Sequence, residues 1–255
     1  MKRTFYSVSS ILLLLLGLNG CCQIYSERLS QAIKTNNFEV IDSLIEANPI
    51  SCQFPKYYSS YSCVVFTEAC YAGNMNVIHY LINDKCVFRN INNEDATRII
   101  GGVARSYGID DDKKIQIMDL FFLHGFTISK SCNSPLSYLS SETIARYLLN
   151  KGAHPLDTWN GNPLYSPLCS SVNPRIFRLY IDAVGFHNLR TEELDAVIMK
   201  TLNENNPENL SILLERGLKK NYKINNKTLY ELASDEVPFE EIYLYRAYDC
   251  MPLLK

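Results

Sequence analysis

The chain has 255 residues, 47% of them hydrophobic, and sets 25 Lys and Arg against 27 Asp and Glu. That length is enough for one sizeable core or one elongated array. The formal charge of −2, with no Lys/Arg stripe to follow phosphates, excludes a nucleic-acid binder; Lys219, Lys220 and Lys223 read as a solvated edge.

The N-terminus begins with Lys2 and Arg3, continues through an unbroken apolar run from Ile11 to Leu16, and closes on Leu18-Asn19-Gly20-Cys21. A positive start, a short apolar run and a small residue next to the scissile bond are the parts of a secretion signal. A spanning helix needs about 20 apolar residues, and this run is interrupted by Gly17, Asn19 and Gly20. The segment resembles a bacterial lipoprotein precursor, with Asn19 in place of the usual smaller residue; an ordinary cleaved signal and a retained anchor are the alternatives. The resemblance implies a signal peptide over 1–20, covalent lipid (palmitate among its acyl chains) on Cys21, and a tether over 21–26. Each buried CH₂ of such an anchor adds about 0.8 kcal/mol of membrane affinity. Cys22 and Gln23 include no aspartate, which by the same resemblance implies an outer-membrane lipoprotein facing the periplasm. Loss of residues 1–20 leaves 235 residues with 23 basic and 27 acidic side chains, a formal charge of −4.

Behind the tether, the pattern repeats in pairs of helices. Ala32 to Asn37 followed by Val40-Ile41 and Leu44-Ile45 has the form of a short helix, a polar turn and a second amphipathic helix. Phe66 to Asn74 followed by Val77, Ile78, Leu81 and Ile82 has the same form, and so does Ile144 to Leu149 closing on Lys151-Gly152-Ala153. Between the first two, Pro49 to Cys63 inserts a tyrosine-rich link. Gly125, Gly152, Gly185 and Gly217 each follow an apolar segment, at separations of 27, 33 and 32 residues. A glycine there can take the left-handed conformation that ends a helix.

The passage Leu148-Leu149-Asn150-Lys151-Gly152-Ala153-His154-Pro155-Leu156-Asp157, then Asn160-Gly161-Asn162-Pro163-Leu164-Tyr165, resembles the ankyrin-repeat family in its paired leucines, Gly-Ala close, tip aspartate and glycine, and Pro-Leu opening. Asn162 and Tyr165 replace the usual threonine and histidine. Asn133 to Ser137 and Asn226 to Ala233 are weaker copies of the opening. The resemblance implies an all-α, ankyrin-like helix-pair solenoid with degenerate repeats over 27–235 and a C-terminal cap or tail over 236–255. Units are expected near 27–60, 61–95, 96–131, 132–157, 158–190 and 191–223, with a remnant from 224. Such a fold works by surface recognition.

Contact residues are therefore expected at hairpin tips and on first helices. Trp159, beside Asp157, is either a tip contact or a ring folded over its own hairpin; aromatic residues are frequent hot spots. Tyr57, Tyr58 and Tyr61 in the link, and Tyr71 and Tyr165 at first-helix positions, are read in the same two ways. The expected partner is one protein, a toxin neutralised in the periplasm or an envelope protein held in a complex, in addition to the membrane under the lipid anchor. Neither a small-molecule substrate nor a cofactor beyond the lipid on Cys21 is expected. His79, His124, His154 and His187 are scattered without zinc-motif spacing, and Gly101-Gly102 lacks the Lys-Ser/Thr of a phosphate loop. No metal site or catalytic group is expected.

An extracytoplasmic setting permits disulfides, and Cys52 and Cys63 bracket the tyrosine-rich link; a bridge there would preorganise it. Replacing Cys21→Ala is expected to move the protein from the membrane pellet to the soluble fraction and to remove the acyl mass from its N-terminal peptide, read by fractionation and mass spectrometry.

Overall fold

The computed structural model describes residues 26–47, 61–130, 132–158, 160–234 and 247–255. Among the described residues the protein is all-α in character, with 65% helix, 2% strand and 13 helices. It forms two compact units, Met1–Ile99 with Ser106–Thr127 and Ile100–Arg105 with Ile128–Lys255. Cys21, where lipid is expected, Cys52 of the expected bridge, Tyr57, Tyr58 and Trp159 lie outside the described residues.

In unit one, α1 (26–35) and α2 (Phe38–Ala47) make the first pair, and α3 (Tyr61–Tyr71) and α4 (Met75–Asn83) the second. The early residues of α5 (Asn93–Arg105) and all of α6 (Asp111–Leu123) complete it. Helix α3 begins at Tyr61, so the link expected to run to Cys63 is shorter and Tyr61 is a helical residue rather than a loop residue. The first helix of each of these pairs ends where a residue adopts left-handed φ. Asn36 (φ 54°) and Gly73 (φ 65°) occupy that position in the first two pairs, and their amides and those of the next residues bond back to Ile33, Ala32, Cys70 and Ala69 carbonyls, satisfying acceptors that a helix end leaves open.

The next residue starts the second helix. Asn37 and Asn74 accept hydrogen bonds from the amides of Val40 and Val77, the N-cap interaction. Asn74 also donates its Nδ2 to the Ile33 carbonyl in the turn of the preceding pair, so one side chain caps its own helix and ties it to its neighbour. A polar brace links the second helices: the Tyr80 hydroxyl donates to both oxygens of Asp42 at 2.7 and 2.8 Å, and Lys85 pairs with Asp42 at 2.8 Å. Below it, Phe66, Phe88, Phe121 and Phe126 form a ring cluster with centroids 5.2–6.0 Å apart; pairs of this kind add about 0.5–1.5 kcal/mol beyond area burial.

Unit two repeats the scheme. Its second helices are α7 (Glu142–Asn150), α9 (Pro174–Val184) and α11 (Pro207–Glu215); its first helices are α8 (Pro167–Ser170), α10 (Thr191–Asn203) and α12 (Leu229–Ser234). Helix α7 packs on α9 and α9 on α11, while α8 packs on α10 and α10 on α12, burying Leu148, Phe177, Tyr180, Ile198 and Leu213 to 1% exposure or less. A short helix α13 (Met251–Leu254) packs on α11 and α12. Gly125, Gly152, Gly185 and Gly217 all have positive φ, between 80° and 111°, as expected for helix-closing positions.

Two departures from expectation have local causes. The Asn133–Ser137 opening does not start a helix: residues 135–138 form turns, with Tyr138 at φ 59°, in a serine-rich stretch whose side chains compete for backbone bonds. The segment lies so close to α5 that a Cβ at Gly101 would stand 3.4 Å from the Pro135 Cα. Its carbonyls are met by long side chains, Leu136 O by the buried Tyr180 hydroxyl at 2.7 Å and Ser137 O by Arg105 at 3.4 Å. The Asn226–Ala233 opening is preceded by a two-stranded ribbon, β1 (Lys223–Ile224) and β2 (Lys227–Thr228), paired antiparallel with Lys223 opposite Thr228.

Two outcomes test this construction. Asn206 repeats the role of Asn74, accepting from Asn209 N at 3.0 Å and donating to Val172 O at 3.1 Å. Asn206→Ala is expected to cost about 2 kcal/mol through loss of cap and cross-link, whereas Asn206→Asp keeps the cap and costs about 1 kcal/mol, both read by denaturant unfolding. The second concerns pH. Burial alone would raise the Asp42 carboxyl, but hydrogen bonds from Lys85 and Tyr80 outweigh it and hold it below its ordinary value. A depressed folded value means stabilisation that is full above the unfolded pKa of about 3.9 and lost as pH falls through the folded value. Asp42→Asn should therefore be less stable than wild type at pH 7, by about 0.5 kcal/mol for so exposed a pair, with the gap closing only below about pH 4.

Candidate functional site

The hairpin over 152–165 in unit two is built from local hydrogen bonds. Helix α7 closes as Gly152 N and Ala153 N bond to Leu149 O and Leu148 O, both at 3.0 Å. Asp157 N returns to His154 O at 3.1 Å, and Leu156 N donates to His154 Nδ1 at 3.3 Å. Leu168 N then bonds Pro155 O at 3.0 Å, fastening this arm to α8. On the other arm Asn160 Oδ1 accepts from Asn162 N at 3.1 Å and Asn162 Oδ1 from Leu164 N at 3.0 Å, Asx turns of the kind these side chains favour. They set a single 3₁₀ turn, Pro163–Tyr165, which packs on α10. Ser166 caps α8 by accepting from Cys169 N at 3.3 Å.

This frame leaves Leu164 48% and Tyr165 57% exposed. Of the side chains expected at the tip, Asp157 is mostly covered, with 15% of its side chain accessible, and faces Lys130 at 3.8 Å. Its role in the hairpin is therefore chiefly internal. Tyr165 and Asp157 belong to one hairpin; Tyr71, half-buried at the end of α3, belongs to unit one. Cys63 is fully buried, with its thiol 3.7 Å from Asn90 O.

Electrostatics around the hairpin are settled by pairing. Burial would raise the Glu193 carboxyl, but the side chain and backbone amide of Arg190, with a contribution from His154, lower it. Tyr222, donating to Asp195 at 2.8 Å, is pushed up to about 12, by burial first and by that carboxylate second. The thiols of Cys169 and Cys250 are each raised to about 11, chiefly by burial, which removes the thiolate needed for nucleophilic chemistry. Among the described residues no three His, Cys, Asp or Glu side chains converge as a metal site. His124 lies on the Phe88 ring at 4.6 Å and His187 on Phe186 at 5.6 Å. The hairpin exposes Leu164 and Tyr165 beside the polar side chains of His154, Asn160 and Asn162, an apolar and aromatic pair in a polar surround on a hydrogen-bonded turn.

Leu164 was not among the expected contact residues. It lies in the 3₁₀ turn Pro163–Tyr165 and is 48% exposed. No family model, curated protein or solved structure matches the chain. No helix among the described residues is long and apolar enough to cross a membrane.

The exposure makes a direct claim. The double change Leu164→Ser with Tyr165→Ala is expected to alter unfolding free energy by no more than about 0.5 kcal/mol; a loss above 2 kcal/mol would show that the two side chains hold the hairpin to α10.

Proposed function

We propose that the chain is a membrane-tethered protein-binding module of the bacterial envelope, built as an ankyrin-like helix-pair solenoid with degenerate repeats, and that it neutralises a toxin acting in the periplasm. The observation that carries the reading is the exposed pair Leu164 and Tyr165 at 48% and 57%, fixed on a hydrogen-bonded hairpin beside stacked helices. Large apolar and aromatic side chains on a preorganised frame contribute contact area at little entropic cost and are where binding energy concentrates. The stacking of second helices on second helices and first on first supports the repeat architecture, in which each pair buries against its neighbours and the turns remain outside. The lipid on Cys21 would place that surface at the membrane.

A second reading, a structural or assembly factor for an envelope complex, is favoured by further exposed side chains in the same unit. Tyr138, Val172 and Tyr248 are 71%, 61% and 58% exposed, apolar and aromatic surface beyond the hairpin.

Affinity capture from the source cells separates the two. Wild-type protein is expected to retain one lytic or toxin-like enzyme stoichiometrically, and Leu164→Ser with Tyr165→Ala to bind it roughly 30-fold more weakly, as for a hot spot worth about 2 kcal/mol. A set of envelope proteins recovered only when Cys21 is intact would select the assembly role, and unchanged capture by the double variant would remove the hairpin from the interface.

A further inference from the structure

A shallow concavity of about 480 Å³ in unit one is lined by Lys34, Asn36, Gly73, Asn74, Asn76 and Lys113, with Ile33, Ala72 and Met75 beneath. No acidic residue lines it. Two cations and three amide side chains therefore converge where the turn of the first helix pair meets the turn of the second.

The cations are uncommitted. Neither Lys34 nor Lys113 has an ion-pair partner among the described residues, whereas Arg146 on α7 pairs with Glu142 at 2.6 Å and Arg178 on α9 with Glu215 at 2.8 Å. Of the three acids that precede Lys113, Asp110 accepts from the Lys113 amide at 2.8 Å, Asp111 faces Lys114 at 3.4 Å, and Asp112 is exposed and does not line the concavity. Lys113 is also held in position. A Cβ at residue 73 would stand 3.1 Å from Lys113 Cδ and 2.7 Å from Ile109 Cγ2, so the absence of a side chain at Gly73 is what lets the lysine stem lie along the turn. Of the amides, Asn74 is spent on Ile33 O and Val77 N, leaving those of Asn36 and Asn76 available to a ligand.

We propose that this concavity binds the carboxylates of an acidic peptide segment of a protein partner. Two ammonium groups separated by polar amides suit successive carboxylates better than a single compact charge, because each cation can take a different side chain. The inference takes from the proposed function only that the partner is a protein.

The test uses the full chain purified in detergent and a fluorescein-labelled hexaglutamate peptide, with hexalysine and inorganic phosphate as comparisons. Binding is expected by anisotropy at low salt, to weaken steeply as ionic strength rises from 0.05 to 0.5 M, and to shift the amide resonances of residues 73–76. Lys34→Gln with Lys113→Gln is expected to weaken it roughly ten-fold. Hexalysine should not bind. Equal affinity of hexaglutamate for wild type and the double variant, shifts confined to other residues, or displacement by phosphate at matching concentration would overturn the assignment. Because the probe is synthetic and the protein purified, a negative result here is distinct from a failed capture of the cellular partner.

Discussion

The asparagine at the start of a second helix is the constraint on which the rest of the structure depends. A turn that ends one helix and starts the next within two or three residues leaves amides and carbonyls that no helix satisfies. Asn74 and Asn206 resolve both halves at once, with the oxygen accepting from their own helix and the nitrogen donating into the preceding turn, at Ile33 and Val172. Asn209 adds a second buried link to Ser171 O at 3.0 Å. Aspartate and serine accept in the same way, as Asp110 and Ser141 do, but carry no amide to pass to a neighbour. Where the fourth pair lacks its first helix, Tyr180 and Arg105 supply the donors from a distance.

Within each unit the same cap recurs at the start of every second helix while the lengths between caps vary. The N-caps Asn37, Asn74, Asp110, Ser141, Asn173 and Asn206 mark every second helix from α2 to α11. Links between second helices then add side-chain braces, Asp42 with Tyr80 in unit one and Arg216 with Asp182 in unit two. These outer pairs are solvent-screened and contribute little individually; the caps and the apolar stack contribute most of the cohesion.

Helix pairs, their closing glycines and the buried face carrying Ile144 and Leu148 were legible in the sequence, because helical periodicity and a glycine after an apolar run are local signals. The N-cap series was harder to read. It is shared among three residue types, and its donor half becomes visible only when a carbonyl from another pair stands opposite. The missing helix at 135–138 and the helical start at Tyr61 depend on the same tertiary context. In the candidate surface, Tyr165 is exposed beside Leu164, a residue whose exposure no sequence pattern singled out. Asp157, expected at the tip, stands 3.8 Å from Lys130, a contact that sequence alone does not reveal.

The proposed recognition role draws on this frame. Its turns are fixed by hydrogen bonds that a partner need not form or break, so side chains displayed on them lose little freedom on binding. Coupling through nearest neighbours is the central claim, and amide hydrogen exchange of wild type and Asn206→Ala measures it most directly. Loss of the Val172 link should lower protection in α9 as well as α11, since both pairs lean on the same bond. Fraying confined to the first turn of α11, with α9 as protected as in wild type, would show that the asparagine caps its own helix and nothing more.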